Sequence, residues 1–201
     1  TQEQLSKTLF PLGNMSKPDV RARAHEYGLA LAEKPDSQEI CFIPGGDYKR
    51  FIEAYLDEQG EELPNTAGEL VTTIGEVVGH HSGIHNFTVG QRKGLGVATG
   101  SPLYVIELRG DKRQVVVGGD DDLRSRTLHA HRLNWIAFES LDAPIRVKAK
   151  IRHRHEPADA EVRIAGDRAV VTFEEPQRAI TPGQAVVFYD EDVVVGGGWI
   201  C

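Results

Sequence analysis

The sequence predicts an α+β protein that is mostly β, with a short helical head, a small mixed central module and a C-terminal antiparallel β-barrel. Two observations carry that prediction. Apolar residues at helical spacing are confined to the stretch before Gly60. From about Gly68 onward, nine short β-branched runs alternate with Gly, Pro and Asp turns.

The head opens on Thr1 and Gln4, a weak capping box ahead of Leu5, Leu9 and Phe10. Ser16 is placed to cap a second helix, with Pro18 in its first turn, Val20, Ala24 and Tyr27 on one face and Gly28 as the stop. Asp47 is expected to cap a third, where Phe51, Ile52, Tyr55 and Leu56 recur before Gly60. Strands are predicted over 71–74, 77–78, 103–108, 115–117, 146–151, 162–164, 169–173, 185–189 and 193–195. So many short strands suggest small barrels, joined at the acidic Asp120-Asp121-Asp122. The expected division is a helical head at 1–44, a mixed α+β module at 45–123 and an all-β module, a barrel, at 124–201.

At 201 residues the chain can bury roughly 70% of its unfolded surface, so no disulfide or metal staple is required. Lys and Arg number 23 against 30 Asp and Glu, and the net charge of −7 argues against wholesale coating of nucleic acid or membrane. A local basic patch stays open. No apolar run approaches the ~18 residues of a membrane span, and Thr1–Leu5 has no export signal, so a cytoplasmic protein is expected. The missing initial Met suggests a fragment. Cys41 and Cys201 are far apart and form no C-x-x-C pair, which excludes a disulfide framework and a cysteine-rich zinc site.

Three segments could carry chemistry. Cys41 sits between polar residues and a Pro44-Gly45-Gly46 turn, flanks that give a thiol access to solvent. Its acidic neighbours Asp36 and Glu39 would raise its pKa, and the alternative is a small buried hydrophobe between Ile40 and Phe42. The second segment, Gly79 to Gly96, holds His80, His81, His85 and a Gln91-Arg92-Lys93-Gly94 tip. A metal site or a Cys–His pair is conceivable, but no carboxylate stands at ligand spacing, and histidines in Gly-rich loops usually act as hydrogen-bonding partners. Glycines 90, 94 and 96 suit a sharp turn or approach to a phosphate. They do not form a nucleotide-binding fingerprint, which needs a strand-Gly-x-Gly-x-x-Gly-helix setting.

The third segment runs from Ile145 to His155. Arg146, Lys148, Lys150, Arg152 and Arg154 alternate with Ile145, Val147, Ala149 and Ile151, so one strand would place five cations on one face. At about 3.3 Å per residue they would repeat every ~6.6 Å, close to the phosphate spacing of a nucleic-acid strand. A solvated strand that uses charge against edge aggregation usually mixes its signs. The single-sign ladder favours a polyanion site.

Together these segments resemble the bacterial tRNA-specific 2-thiouridylases. The family's Asp-Ser-x-x-Ile-Cys-Phe-Ile appears as Asp36 to Ile43, and its Gly-x-His-x-Gly block followed by Thr-hydrophobic-Gly-Gln-Arg-Lys-Gly-Leu-Gly appears as Gly79 to Gly96. Thr181 to Val186 and Gly196-Gly197-Gly198 match its closing barrel, and Gln4 to Gly13 is similar to its segment upstream of the cysteine. The resemblance implies an enzyme that thiolates C2 of the wobble uridine: ATP adenylates the carbonyl and a cysteine persulfide delivers sulfur, with a transient disulfide. It implies that Cys41 carries the persulfide and that Lys150-Ile151 and Gln184 face tRNA. Lys148, Arg152, Arg92 and Lys93 are added to the tRNA-binding set as neighbouring cations. Glu, Gln and Lys acceptor tRNAs and a cysteine desulfurase or sulfur-relay protein are the implied partners.

The family's Ser-Gly-Gly-x-Asp-Ser motif and second catalytic cysteine are not in these 201 residues. ATP and Mg²⁺ are therefore expected on an N-terminal domain outside this chain, no cofactor or metal is expected within it, and the chain alone is expected to be inactive. Cys201 has no counterpart in the pattern. Two other readings remain: a noncatalytic RNA-binding module that ignores Cys41, and a stand-alone thiol enzyme using Cys41 and His81.

Overall fold

The computed structural model describes residues 1–35, 48–60, 65–97 and 100–201 and, of residues 48–50 and 53, the backbone alone. The chain separates into two compact units, Gln2–Pro64 and Asn65–Cys201.

In the first unit, α1 (Gln2–Leu5) is a single turn, shorter than the Leu5, Leu9, Phe10 spacing predicts. Side-chain hydroxyls take its carbonyls: Thr8 Oγ1 donates to that of Gln4 at 2.7 Å and Ser6 Oγ to that of Glu3 at 2.8 Å. Leu9 and Phe10 stay exposed. Helix α2 (Lys17–Glu26) has the predicted cap, with the Asp19 amide donating to Ser16 Oγ and the Ser16 amide to Asp19 Oδ2. The Ser16 hydroxyl, which donates to Asp19 Oδ2, and then the Ser16 amide hold the Asp19 carboxyl below the usual carboxylate range. The helix gives way to Gly28 at φ +63°. Its expected apolar face is only partly covered: Val20 and Ala24 are half-buried, whereas Tyr27 is exposed. Helix α3 (Tyr48–Glu58) stops before Gly60, with the Phe51 and Tyr55 rings 6.4 Å apart. Its expected cap, Asp47, lies outside the described residues.

The second unit begins with a four-stranded sheet in the order β2-β1-β4-β3, made of β1 (Gly68–Thr72), β2 (Val77–His81), β3 (Tyr104–Arg109) and β4 (Gln114–Gly118). Strands β1 and β4 are parallel and the other pairs antiparallel. Leu70, Val105, Val115 and Val117 pack against Phe87 and Leu95 from the intervening loop. A 3₁₀ turn over Asp121–Leu123 leads into a closed barrel of order β10-β5-β8-β7-β6-β9. Its strands are β5 (Arg124–Trp135), β6 (Ile145–Lys150), β7 (Ala158–Ala165), β8 (Arg168–Arg178), β9 (Ala185–Asp190) and β10 (Val193–Ile200). Alternate residues point inward, among them Leu128, Val147, Val162, Val171, Phe173 and Phe188. Among the described residues no helix is long and apolar enough to cross a membrane.

Strands β7 and β8 run longer than the expected 162–164 and 169–173, and two other barrel strands differ further from expectation. The 12-residue β5 is not predicted, because Leu128, Ala130 and Leu133 are separated by His129, His131 and Arg132 and form no β-branched run. Pairing with β8 on one edge and β10 on the other holds it. Strand β10 continues past Val195 through three glycines. A Cβ on Gly196 would stand 2.6 Å from the Trp135 ring and one on Gly197 2.5 Å from the Val186 carbonyl oxygen, so close packing selects residues that local propensity disfavours.

Gly68 is constrained in the same way. A Cβ there would lie 1.8 Å from the Arg113 carbonyl oxygen, which also accepts from His81 Nε2 at 3.2 Å. Gly68→Ala is expected to destabilise this unit by about 2 to 3 kcal/mol, read from the urea midpoint. A change under about 0.5 kcal/mol would mean that the strand yields without cost. The same node has a pH signature. Burial holds the His81 imidazole below its ordinary pKa, the hydrogen bond to Arg113 opposes this, and the charges of His80 and His85 add to it. Below about pH 6.5 the unfolded chain takes up a proton that folded His81 refuses, so this contribution is present above that pH and lost as pH falls. Unfolding midpoints should drop from pH 7 to pH 5, and His81→Gln should flatten the drop.

Candidate nucleic-acid interface

Cys41 and its motif, Asp36 to Ile43, lie outside the described residues. Cys201 is an exposed thiol whose amide donates to the His129 carbonyl at 3.0 Å. The remaining predicted site residues fall in the second unit.

The loop carrying Arg92 and Lys93 is braced by one side chain. Gln91 Oε1 accepts from the Thr88 amide at 3.0 Å, and its Nε2 donates to the Lys93 carbonyl at 2.9 Å. Gly90 N donates to the Val105 carbonyl and Val105 N to that of Gln91, which ties the loop to β3. Gly90, Gly94 and Gly96 all have φ between +70° and +87°, open to glycine at little cost. Arg92 and Lys93 are left exposed, and Arg92, Gly94 and Gly96 line a hollow of about 580 Å³.

The histidines of this segment have structural neighbours. His81, 9% exposed, sets its ring at an angle to Phe87, 5.3 Å between centroids, and directs Nε2 at the Arg113 carbonyl. A core position of this kind suits packing and not the exposed base of a Cys–His pair. His85 Nδ1 lies 3.3 Å from Thr66 Oγ1, and a Cβ on Gly83 would come within 2.4 Å of the His85 ring.

The ladder of five cations is corrected by the barrel. Strand β6 ends at Lys150, so only Arg146, Lys148 and Lys150 share its outer face. Arg152 and Arg154 lie in the turn that follows. Nor is the face of single sign. Arg146 is paired across β7 with Glu161 and Lys148 with Asp159, whose carboxylate takes the Lys148 Nζ at 3.0 Å. Arg146 and Lys148 border a hollow of about 560 Å³ that also meets Asp159, Glu161, Glu174, Asp190 and Glu191. Two cations among five carboxylates repel a polyanion. Ile151, at 1% exposure, is a core residue of the barrel, with its side chain turned inward.

Arg152 instead turns toward the joint between sheet and barrel, where its Nη1 donates to the Arg178 carbonyl at 2.9 Å. The chain from Arg178 to Gln184 gathers the other candidates. A Cβ on Gly90 would lie 3.1 Å from Ala179 Cβ, which brings the Arg92–Lys93 loop to this segment. Ala179, at φ +53°, donates its amide to the Leu123 carbonyl at 2.8 Å. Thr181 Oγ1 donates to the Ala179 carbonyl at 3.0 Å, and the Gln184 amide to that of Thr181 at 3.3 Å, with the Gln184 side chain exposed. Arg92, Lys93, Arg152 and Gln184, spread over some half of the sequence, are thus held around one short segment.

Five residues that build this region were not among the predicted site residues. Arg178 Nε donates to Asp120 Oδ1 at 2.9 Å, and its guanidinium lies 5.1 Å from the Tyr104 ring centre. Arg124 Nη2 reaches the other oxygen of Asp120 at 3.3 Å. The hydrogen bond from Arg178, followed by the nearby Arg124, holds the Asp120 carboxyl below the usual range, and burial opposes this only in part. Gln91 is the fifth. Its place beside Arg92 and Lys93 was the one available signal; Asp120, Arg178 and Tyr104 meet only in three dimensions.

Three family profiles match the chain in succession: a tRNA methyl transferase HUP domain over residues 1–45, a tRNA methyl transferase PRC-barrel domain over 49–119, and an aminomethyltransferase beta-barrel domain over 125–200. Among curated proteins, the tRNA-specific 2-thiouridylase of Koribacter versatilis is 73% identical over 202 residues. Those of Acidobacterium capsulatum and Solibacter usitatus are 62% and 54% identical. Each alignment takes in 100% of this chain, and the chain spans about 55% of the length of each relative.

Proposed function

The chain belongs to the tRNA-specific 2-thiouridylase family, and from that membership we propose that it supplies the cysteine loop and the tRNA-docking modules of an enzyme that installs 2-thiouridine at the tRNA wobble position. The observation that carries the docking part is the gathering of Arg92, Lys93, Arg152 and Gln184 around the Arg178–Gln184 segment. Lys150 at the end of β6 joins this set. Lys148, held by Asp159, is its weakest member, and Ile151 can contribute only through its backbone.

In this reading residues 1–44, 45–123 and 124–201 are the end of the catalytic domain, the central module and the barrel. Cys41 carries a persulfide whose terminal sulfur attacks C2 of the activated uridine. The C2–O bond to adenylate breaks, AMP leaves, and attack of a second cysteine on the remaining S–S bond frees the thiolated base and leaves a transient disulfide. The protein works in the cytoplasm and receives sulfur from a desulfurase or relay protein. Adenylation uses ATP and Mg²⁺. The described residues do not fit those groups: the glycines at 90, 94 and 96 connect a 3₁₀ turn to β3 and do not open a helix onto phosphates. No step is assigned to this chain through them.

The test is thiolation by the complete protein. Incubated with unmodified tRNA, ATP, Mg²⁺ and a loaded desulfurase, it should form 2-thiouridine detectable by mass spectrometry after nuclease digestion. Tight tRNA binding with no thiolated product under those conditions would favour the noncatalytic RNA-binding reading.

A further inference from the structure

We infer that Arg178 is a positioning residue for tRNA docking, which clasps Asp120 and Tyr104 and so holds Arg152 of the barrel beside the Arg92–Lys93 loop of the sheet; the assignment rests on the docking reading above. Arg178 ends β8, and its register partner on β5 is Arg124. Two arginines directly opposed repel. Asp120 resolves that conflict by giving one carboxylate oxygen to each, at 2.9 Å and 3.3 Å. Asp120 precedes the turn that joins sheet to barrel, and Tyr104 begins β3 of the sheet. The Arg178 side chain therefore bridges the joint, with an ionic contact to the connection and a cation–π contact to the sheet.

The backbone at the same place carries the cationic set. The Arg178 carbonyl receives Arg152, the next amide binds Leu123, and the Ala179 methyl faces Gly90 at the base of the loop. Fixing the side chain of Arg178 thus fixes the spacing between cations from the sheet and cations from the barrel. That spacing matters because the chain is acidic overall, at −7, and depends on a few preorganised contacts for any RNA affinity. The Arg178 guanidinium is already engaged by Asp120 and lies against the Tyr104 ring, so its contribution is one of placement.

The experiment measures KM for tRNA and kcat in the thiolation assay of the complete protein, alongside hydrogen exchange over residues 88–94 and 119–124. Arg178→Gln should raise KM about tenfold with kcat within about twofold, an effect of the size expected for one coupled pair. Asp120→Asn should reproduce the rise, the double variant should be no worse than either single, and Arg178→Lys should recover part of the loss. Exchange in both segments should quicken in Arg178→Gln and Asp120→Asn while the thermal midpoint of the protein stays nearly unchanged. An unchanged KM in Arg178→Gln would overturn the proposal. So would a lower KM in Asp120→Asn, which would show that Arg178, once released, touches phosphate directly. If the wild-type protein binds no tRNA yet exchange quickens in both variants, the docking reading fails and the clasp remains; unchanged exchange removes the clasp.

Discussion

Cys41→Ser in the complete protein is expected to reduce 2-thiouridine to background while leaving tRNA affinity within about twofold of wild type. A hydroxyl cannot accept sulfane sulfur, so no persulfide forms and nothing is delivered to the activated C2. The loss is complete because the step has no substitute. Affinity survives because the proposed docking contacts, Arg92, Lys93, Arg152 and Gln184, lie elsewhere in the sequence. Cys201→Ser should be neutral, since the thiol is exposed and the hydrogen bond to the His129 carbonyl of β5 comes from the backbone amide, which serine keeps. Mass spectrometry of digested tRNA and filter binding on the same preparations decide the matter. Substantial product from Cys41→Ser would remove Cys41 from the mechanism.

The double variant Arg92→Glu, Arg152→Glu should weaken tRNA binding by an order of magnitude or more and flatten its salt dependence. If about two to three phosphates are neutralised by this edge, the slope of log K against log salt should be roughly −1.5 to −3 in the wild type, its magnitude shrinking by roughly 1.4 to 1.8 when two contacts are lost. Cognate and noncognate tRNAs should suffer alike, because backbone contacts carry little sequence information. Lys148→Glu is the internal comparison. Its ammonium is bound to Asp159 in a hollow already crowded with carboxylates, so its reversal should leave the slope nearly unchanged. Equal effects from Lys148→Glu and the double variant would restore the regular basic strand as the docking surface.

The barrel shows how far local sequence reaches. Alternation of Val147, Ala149 and Ile151 with cations identified β6 and its inward face correctly, because strand periodicity is a property of the backbone alone. Where the strand stops, and what faces its cations, depends on β7, whose Asp159 and Glu161 are adjacent only through pairing. The capping of α2 by Ser16 was legible for the same local reason. Strand β5 and the glycine-rich end of β10 were not, since neighbouring strands on both edges impose extended structure there against weak propensity.

By itself the sequence determined the α+β class, the strand-rich second half, the capped helix of the head and, through its ordered motifs, the family and the cysteine to which that family resemblance points. Those features depend on spacing, composition and residue identity, all written along one dimension. Only the tertiary structure decided that Lys148 is matched by acids, that Ile151 is enclosed, and that Arg152 and the Gly90 end of the Arg92–Lys93 loop both reach the Arg178–Ala179 backbone, where Arg178 binds Asp120. Electrostatic character is a sum over neighbours in space, and barrel closure brings together residues that the chain keeps far apart.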